Sequence, residues 1–189
     1  MGILSREQIN EMGFASVGEN CQLSDRASYY NCGKISIGNC TRIDDFCVLS
    51  AGEGGIDIGS YGHFGVFTSM IGAGKISFGD FSGTSSRASI YSSNEDYSGE
   101  LLAGPQVPME FKRVESADVV IGRHVIIGSG AVVLPGVTLE DGVVVGALSL
   151  ATKSLSEFCI YSGVPARKIG NRKRGCLAVE KEFLSSIQK

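Results

Sequence analysis

Only two imidazoles occur in the 189-residue chain, His63 and His124. Neutral imidazole is well matched to taking a proton from a hydroxyl at neutral pH. An adjacent acid pair, Glu95-Asp96, could orient such a base or act as one, provided that burial or a like-charged neighbour makes it more basic. Cations gather late in the chain at Arg167, Lys168, Arg172, Lys173 and Arg174, although the formal net charge is -3. A basic cluster in an acidic protein suits phosphate groups. Small residues at Ser129, Gly130, Gly146 and Ala147 leave room for an extended ligand arm to bond to backbone groups. Arg42-Ile43-Asp44-Asp45 is a second polar cluster. Arg42 could take a carboxylate or phosphate and Asp44 or Asp45 could take sugar hydroxyls; an Arg-Asp pair bridging subunits accounts for them equally well. A catalytic zinc of the three-histidine kind needs more imidazoles than the chain has. The six cysteines are scattered with no C-x-x-C pair and are expected to stay reduced.

These groups need a scaffold, and one pattern dominates the sequence. Aliphatic or aromatic residues, with one threonine among them, recur every six positions: Ile37, Ile43, Leu49; Ile58, Phe64, Met70; Phe78, Thr84, Ile90. After an interruption come Ile121, Ile127, Val133, Leu139, Val145 and Ala151. A period of six fits neither an alternating strand nor a helical stripe. It fits a coiled parallel β-solenoid in which each hexad is one short face and a corner. The 26 glycines, nearly twice the usual share of about 7%, fall at repeat corners rather than in a linker-like block.

The flanks differ. Within residues 1–16, Ser5-Arg6-Glu7-Gln8 reads as a capping box opening a short helix. Repeats occupy 17–169 but break over 94–118, a segment containing Tyr97, Pro105, Pro108 and Phe111. A long break inside a regular solenoid points to function. Residues 170–189 form a basic stretch and a helix over Leu177–Ile187, whose stripe of Leu177, Phe183, Leu184 and Ile187 is expected to cap the open solenoid end. Charge argues against a nucleic-acid partner. No apolar stretch is long enough for a transmembrane segment, and no signal peptide is visible. A soluble, cytoplasmic protein is expected.

The stretch Ile121-Gly122-Arg123-His124 through Leu134-Pro135-Gly136-Val137, followed by Thr152-Lys153 and Gly163-Val164-Pro165-Ala166-Arg167, resembles the hexapeptide-repeat acyltransferases. Within them it is similar to the galactoside, maltose and polysaccharide O-acetyltransferases. The resemblance implies an all-β fold, a left-handed parallel β-helix with short terminal helices and one long internal loop, against the usual right-handed crossover. It also implies a homotrimer with sites between subunits and acetyl-CoA along the C-terminal coils, in contact with Ser129, Ala147, Thr152, Lys153, Pro165, Arg167 and Lys168.

The chain departs from that family at the catalytic base. Those enzymes carry a histidine where this sequence has Glu95, and Glu95-Asp96-Tyr97-Ser98-Gly99 resembles a subgroup with an acidic-acidic-Tyr-Ser-Gly motif. His63 falls near the acceptor pocket by family position and is the favoured base, with Glu95 or Asp96 orienting it or holding the acceptor, in a contact that can cross a subunit boundary. Glu95 or Asp96 acting directly is the second possibility, and His124, where Asn is common, is a further candidate. Arg42, Asp44, Asp45 and Tyr97 are expected to bind the acceptor. The leading expectation is acetyl transfer to a sugar hydroxyl in bacterial surface-polysaccharide synthesis. N-acetylation of a nucleotide-linked amino sugar is the alternative, disfavoured because such enzymes often carry a separate N-terminal nucleotide-binding domain. A non-enzymatic hexapeptide-repeat protein is the third reading.

Overall fold

A computed structural model describes residues 2–187. The six-residue period becomes three parallel sheets wound as a left-handed β-helix. The first sheet includes Ile35–Ile37, Ile56–Ile58, Ile76–Phe78 and Val119–Ile121. The second includes Arg42–Ile43, His63–Phe64, Gly83–Thr84, Ile126–Ile127 and Val144–Val145. The third includes Val48–Ala51, Ser69–Gly72, Ser89–Tyr91 and Val132–Val133.

Successive coils align residue on residue, so like positions stack. Ile43 pairs with Phe64, Phe64 with Thr84, Thr84 with Ile127 and Ile127 with Val145, all inward and buried. Each buried aliphatic contributes about 1.5–3 kcal/mol relative to exposure. The outward row one residue earlier runs Arg42, His63, Gly83, Ile126 and Val144, from polar to apolar.

The corners require left-handed backbone, which costs most residues about 1–2 kcal/mol. Between the first and second sheets, Tyr61, Phe81 and His124 take φ of 59°, 57° and 58°. Between the second and third, Phe46, Phe67 and Arg87 take 61°, 63° and 60°. Close coil approach fixes two glycines: a Cβ at Gly65 would stand 2.9 Å from Ser86 N, and one at Gly128 2.5 Å from Ala147 N.

The 94–118 break is an arm with a strand-paired stem. Ser93–Glu95 pairs antiparallel with Val114–Ser116, and a single 3-10 turn covers Met109–Phe111. Val119–Ile121 then pairs directly with Ile76–Phe78, so the first sheet continues across the insertion.

Helix α1 (Arg6–Glu11) has its capping box formed and Ile9 buried. Helix α2 (Gly175–Ile187) does not cap the solenoid end as its stripe suggests. It lies along the first corner, where Phe183 meets Tyr61 and Phe81 edge-on at 5.2 and 6.2 Å and Glu180 pairs with Arg123 and His124. The stacked rings and the Arg123 guanidinium give one helix face both apolar cover and charge neutralisation. The edge of the second sheet is instead taken by Arg167–Asn171, antiparallel to Cys159–Ser162. All six cysteines are free, and burial pushes the Cys47 thiol up to about 11.

Candidate functional site

His63 stands on the outward row of the second sheet, one coil after Arg42. Both turn toward Asp44, which is largely covered: Arg42 Nε donates to Asp44 Oδ1 at 2.7 Å, and His63 Nε2 lies 2.9 Å from Asp44 Oδ2. Burial pushes the Asp44 carboxyl upward, but the hydrogen bonds and charges of His63 and Arg42 outweigh it and hold it below the usual range. The Arg-Asp pair therefore closes within one chain, and Asp44 orients His63. Asp45 turns the other way, accepting from the Ser24 hydroxyl, with Arg26 at 4.0 Å.

A cavity of about 250 Å³ opens beside His63, walled by Tyr61, Phe81, Gly83, Ser85 and Ile126. Gly83 leaves a gap in the outward row between His63 and Ile126. Ser85 occupies on its coil the place Asp44 has on its own, two residues after the outward row. The sequence reading missed Ser85, Tyr61 and Phe81. The repeat phase that placed Asp44 two residues past Arg42 places Ser85 two past Gly83, and that signal could have found Ser85.

The acid pair lies elsewhere and its members differ. Glu95 is half-buried at the end of the arm's stem. One of its oxygens accepts from Gly104 N at 2.7 Å, and it lines a second cavity of about 420 Å³ with Tyr91, Asn94, Tyr97, Val132 and Leu134. Asp96 is fully engaged inside the arm, accepting from Ser98 N, Ser98 Oγ and Leu101 N, with Arg113 at 3.4 Å. The Ser98 bonds lead these contacts in holding its carboxyl down at about 2. So strong an acid is a poor proton acceptor near neutrality. The structure does not bring Glu95 or Asp96 to His63 within one chain, because the arm leaves the third sheet and His63 stands on the second. Tyr97 is 87% exposed.

His124 is a buried corner residue. It stacks on Phe81 at 5.3 Å and its Nε2 meets Glu180 Oε2 at 2.8 Å. It is absent from the lining of the His63 cavity.

The basic cluster divides. Arg172 donates to the carbonyls of His124 and Gly142, and Arg174 pairs with Glu157 at 2.8 Å while its guanidinium lies 4.2 Å over Phe158. Both are committed to the fold. Arg167 and Lys168 sit exposed on the terminal strand, and Thr152, Lys153 and Pro165 are exposed nearby in sequence. Ser129 and Ala147 are exposed at successive coils, linked by the bond from Leu148 N to Ser129 O at 2.8 Å. Among the described residues, no group of three His, Cys, Asp or Glu side chains is placed to hold a metal ion.

The family description "Bacterial transferase hexapeptide (six repeats)" matches residues 118–150. The dTDP-4-amino-4,6-dideoxy-D-glucose acyltransferase of Escherichia coli is 51% identical over 186 residues, covering 98% of this chain and 97% of its own. The chain belongs to the hexapeptide-repeat acyltransferases. AntD, an N-acyltransferase from Bacillus cereus solved with dTDP and 3-hydroxybutyryl-CoA, superposes with a TM-score of 0.93 at 44% identity, covering 99% of this chain and 98% of that one. The putative lipopolysaccharide biosynthesis O-acetyl transferase WbbJ of E. coli is 41% identical over 68 residues, 36% of this chain. This chain is thus an acyltransferase, and its full-length similarity runs to enzymes of amino-sugar acylation. A separate N-terminal nucleotide-binding domain is no requirement of amino-sugar acylation, since the 51% identical relative is matched here over 97% of its own length.

Proposed function

We propose that this acyltransferase moves an acyl group from an acyl-CoA to the amino group of a dTDP-linked 4-amino-4,6-dideoxy sugar. The observation that carries the reading is the full-length 51% identity to an enzyme of that description, against a match to the O-acetyl transferase that covers only 36% of this chain. Acyl-CoA lies along the C-terminal coils against Ser129, Ala147, Thr152 and Lys153, with Arg167 and Lys168 near its phosphates. The acceptor lies on the N-terminal coils with its amino sugar at the His63 cavity. Catalysis takes place in the cytoplasm, where nucleotide sugars and acyl-CoA are both available.

The amine attacks the thioester carbonyl: a C–N bond forms, the C–S bond breaks, CoA leaves as thiolate and the amine loses a proton. An amine asks less of its base than a hydroxyl does, which suits a site without the family's usual histidine. His63 takes the proton, held by Asp44 through Nε2 with Nδ1 turned to the acceptor. A homotrimer brings the arm of one subunit to the second sheet of another, so Glu95 reaches the acceptor amine from across the boundary. A backbone N–H at the Ser129 or Ala147 corner faces the developing oxyanion.

Turnover of His63→Asn and Glu95→Gln tests these roles. The expected result is a fall in kcat of about a hundredfold or more for His63→Asn, in the range of general-base loss, with Glu95→Gln acting mainly on acceptor KM. Near-normal kcat for His63→Asn beside a collapsed kcat for Glu95→Gln would move the base to the acid.

A further inference from the structure

The two corners beside the second sheet are built alike but finished differently. At the first corner Tyr61 and Phe81 stack at 4.8 Å and are covered by Phe183 of α2. At the second corner Phe46 and Phe67 stack at 5.0 Å with 18° between their planes, and the Arg87 guanidinium lies 5.1 Å over Phe67. Nothing among the described residues covers this ladder. Phe46 and Phe67 are 47% and 45% exposed. Arg87 is exposed and forms no ion pair with the described carboxylates. The next coil places Gly130 at the equivalent corner, where the Leu148 side chain of the coil beyond leans over the glycine.

Bulky side chains are poorly suited to these positions. Each of the three holds left-handed backbone, which Gly or Asn would adopt more cheaply, and the two rings also expose apolar surface. A partner that uses ring faces and a free guanidinium together offsets both costs. The ladder lies beside the proposed acceptor site. Phe46, Phe67 and Arg87 each follow by two residues the row Asp44, Gly65 and Ser85, of which Asp44 holds His63 and Ser85 walls its cavity. Gly65 keeps that row low between ladder and cavity.

We propose that the Phe46–Phe67–Arg87 ladder binds the nucleoside diphosphate end of the acceptor. The base stacks on the exposed rings and the diphosphate pairs with Arg87, which leaves the sugar to reach His63 and Ser85. This rests on the nucleotide-sugar reading above. Ring faces accept a base through stacking, and a guanidinium matches phosphate oxygens in charge and in fork geometry. Donor and acceptor then share one corner: the nucleotide on the coils of Phe46, Phe67 and Arg87, the CoA arm on the following coils of Ser129 and Ala147.

The test is calorimetric titration of the full-length protein with thymidine diphosphate and, separately, with CoA, for wild type, Phe67→Asn and Arg87→Gln. Asn tolerates the left-handed corner, so Phe67→Asn removes the ring without adding strain. Each variant should bind thymidine diphosphate about tenfold more weakly, as for loss of one base stack or one charge-assisted contact. CoA affinity and sedimentation coefficient should not change. Unaltered thymidine diphosphate affinity in both variants overturns the proposal. Weaker binding together with a changed sedimentation coefficient also overturns it, assigning the ladder to contacts between copies of the chain. A wild type that binds CoA but not thymidine diphosphate removes the nucleotide-sugar reading itself, and the ladder's role with it.

Discussion

Asp44→Asn should slow the reaction while leaving the coil intact. Asp44 is 12% exposed on its side chain and accepts from Arg42 at 2.7 Å and from His63 at 2.9 Å. Asn keeps one acceptor oxygen but loses the charge, and its amide nitrogen cannot accept from the imidazole. Hydrogen bonds to charged groups contribute about 1.5–3 kcal/mol. Arg42 and His63 are themselves 50% and 58% exposed, so solvent screens both contacts and the loss should be about 1–2 kcal/mol. If that energy holds the imidazolium as the proton arrives, kcat falls about 5–30-fold, since ~1.4 kcal/mol is one decade of rate. The same loss in the ground state lowers Tm by about 2–8 °C for a chain of this size. Steady-state CoA-thiol release with saturating acyl-CoA, set beside a thermal melt, separates the effects. A lowered Tm with unchanged kcat would make Asp44 purely structural and refute the assignment of His63 as base.

Two further outcomes follow from the geometry. The Asp96 carboxyl lies at about 2, below the ordinary unfolded value of about 3.9. Its contribution to the arm is therefore complete above that value and is lost as pH falls from about 4 through about 2. Amide protection of Ser98 and Leu101 should persist at pH 5 and disappear toward pH 2, whereas Asp96→Asn should lack it throughout; wild-type protection that ignores this window contradicts the assignment. Glu180→Gln should loosen α2, because among the described residues Glu180 is the helix group that pairs with Arg123 and His124. Limited proteolysis between 175 and 187 should quicken about tenfold, within the range for losing a charged hydrogen bond, and an unchanged rate would show that Phe183 suffices.

The inward positions were readable because burial imposes the period: Ile43, Phe64, Ile127 and Val145 stack as the repeat requires. The same period says nothing about which outward neighbours bond. The sequence set Arg42 and His63 one coil apart, yet the link between them is Asp44, a local contact across the register. Glu95 and Asp96 look equivalent in sequence. Only the turn of the arm shows that one faces a cavity and the other is consumed by Ser98, Leu101 and Arg113. The basic tail misled for a similar reason: Arg172 and Arg174 serve backbone carbonyls, Glu157 and Phe158, partners set by tertiary packing. The stripe on α2 correctly announced an amphipathic helix. It could not announce that the helix would meet stacked corner rings rather than the solenoid end.

The proposed reaction forms an amide on a nucleotide-linked amino sugar. The direct measurement is mass spectrometry of the product from dTDP-4-amino-4,6-dideoxyglucose and acetyl-CoA, before and after hydroxylamine at mild alkaline pH. One added acetyl group that survives hydroxylamine, as an amide does, is expected, with no product from the matching 4-hydroxy sugar nucleotide. An acetyl group removed by hydroxylamine, or equal transfer to the hydroxyl sugar, would contradict it.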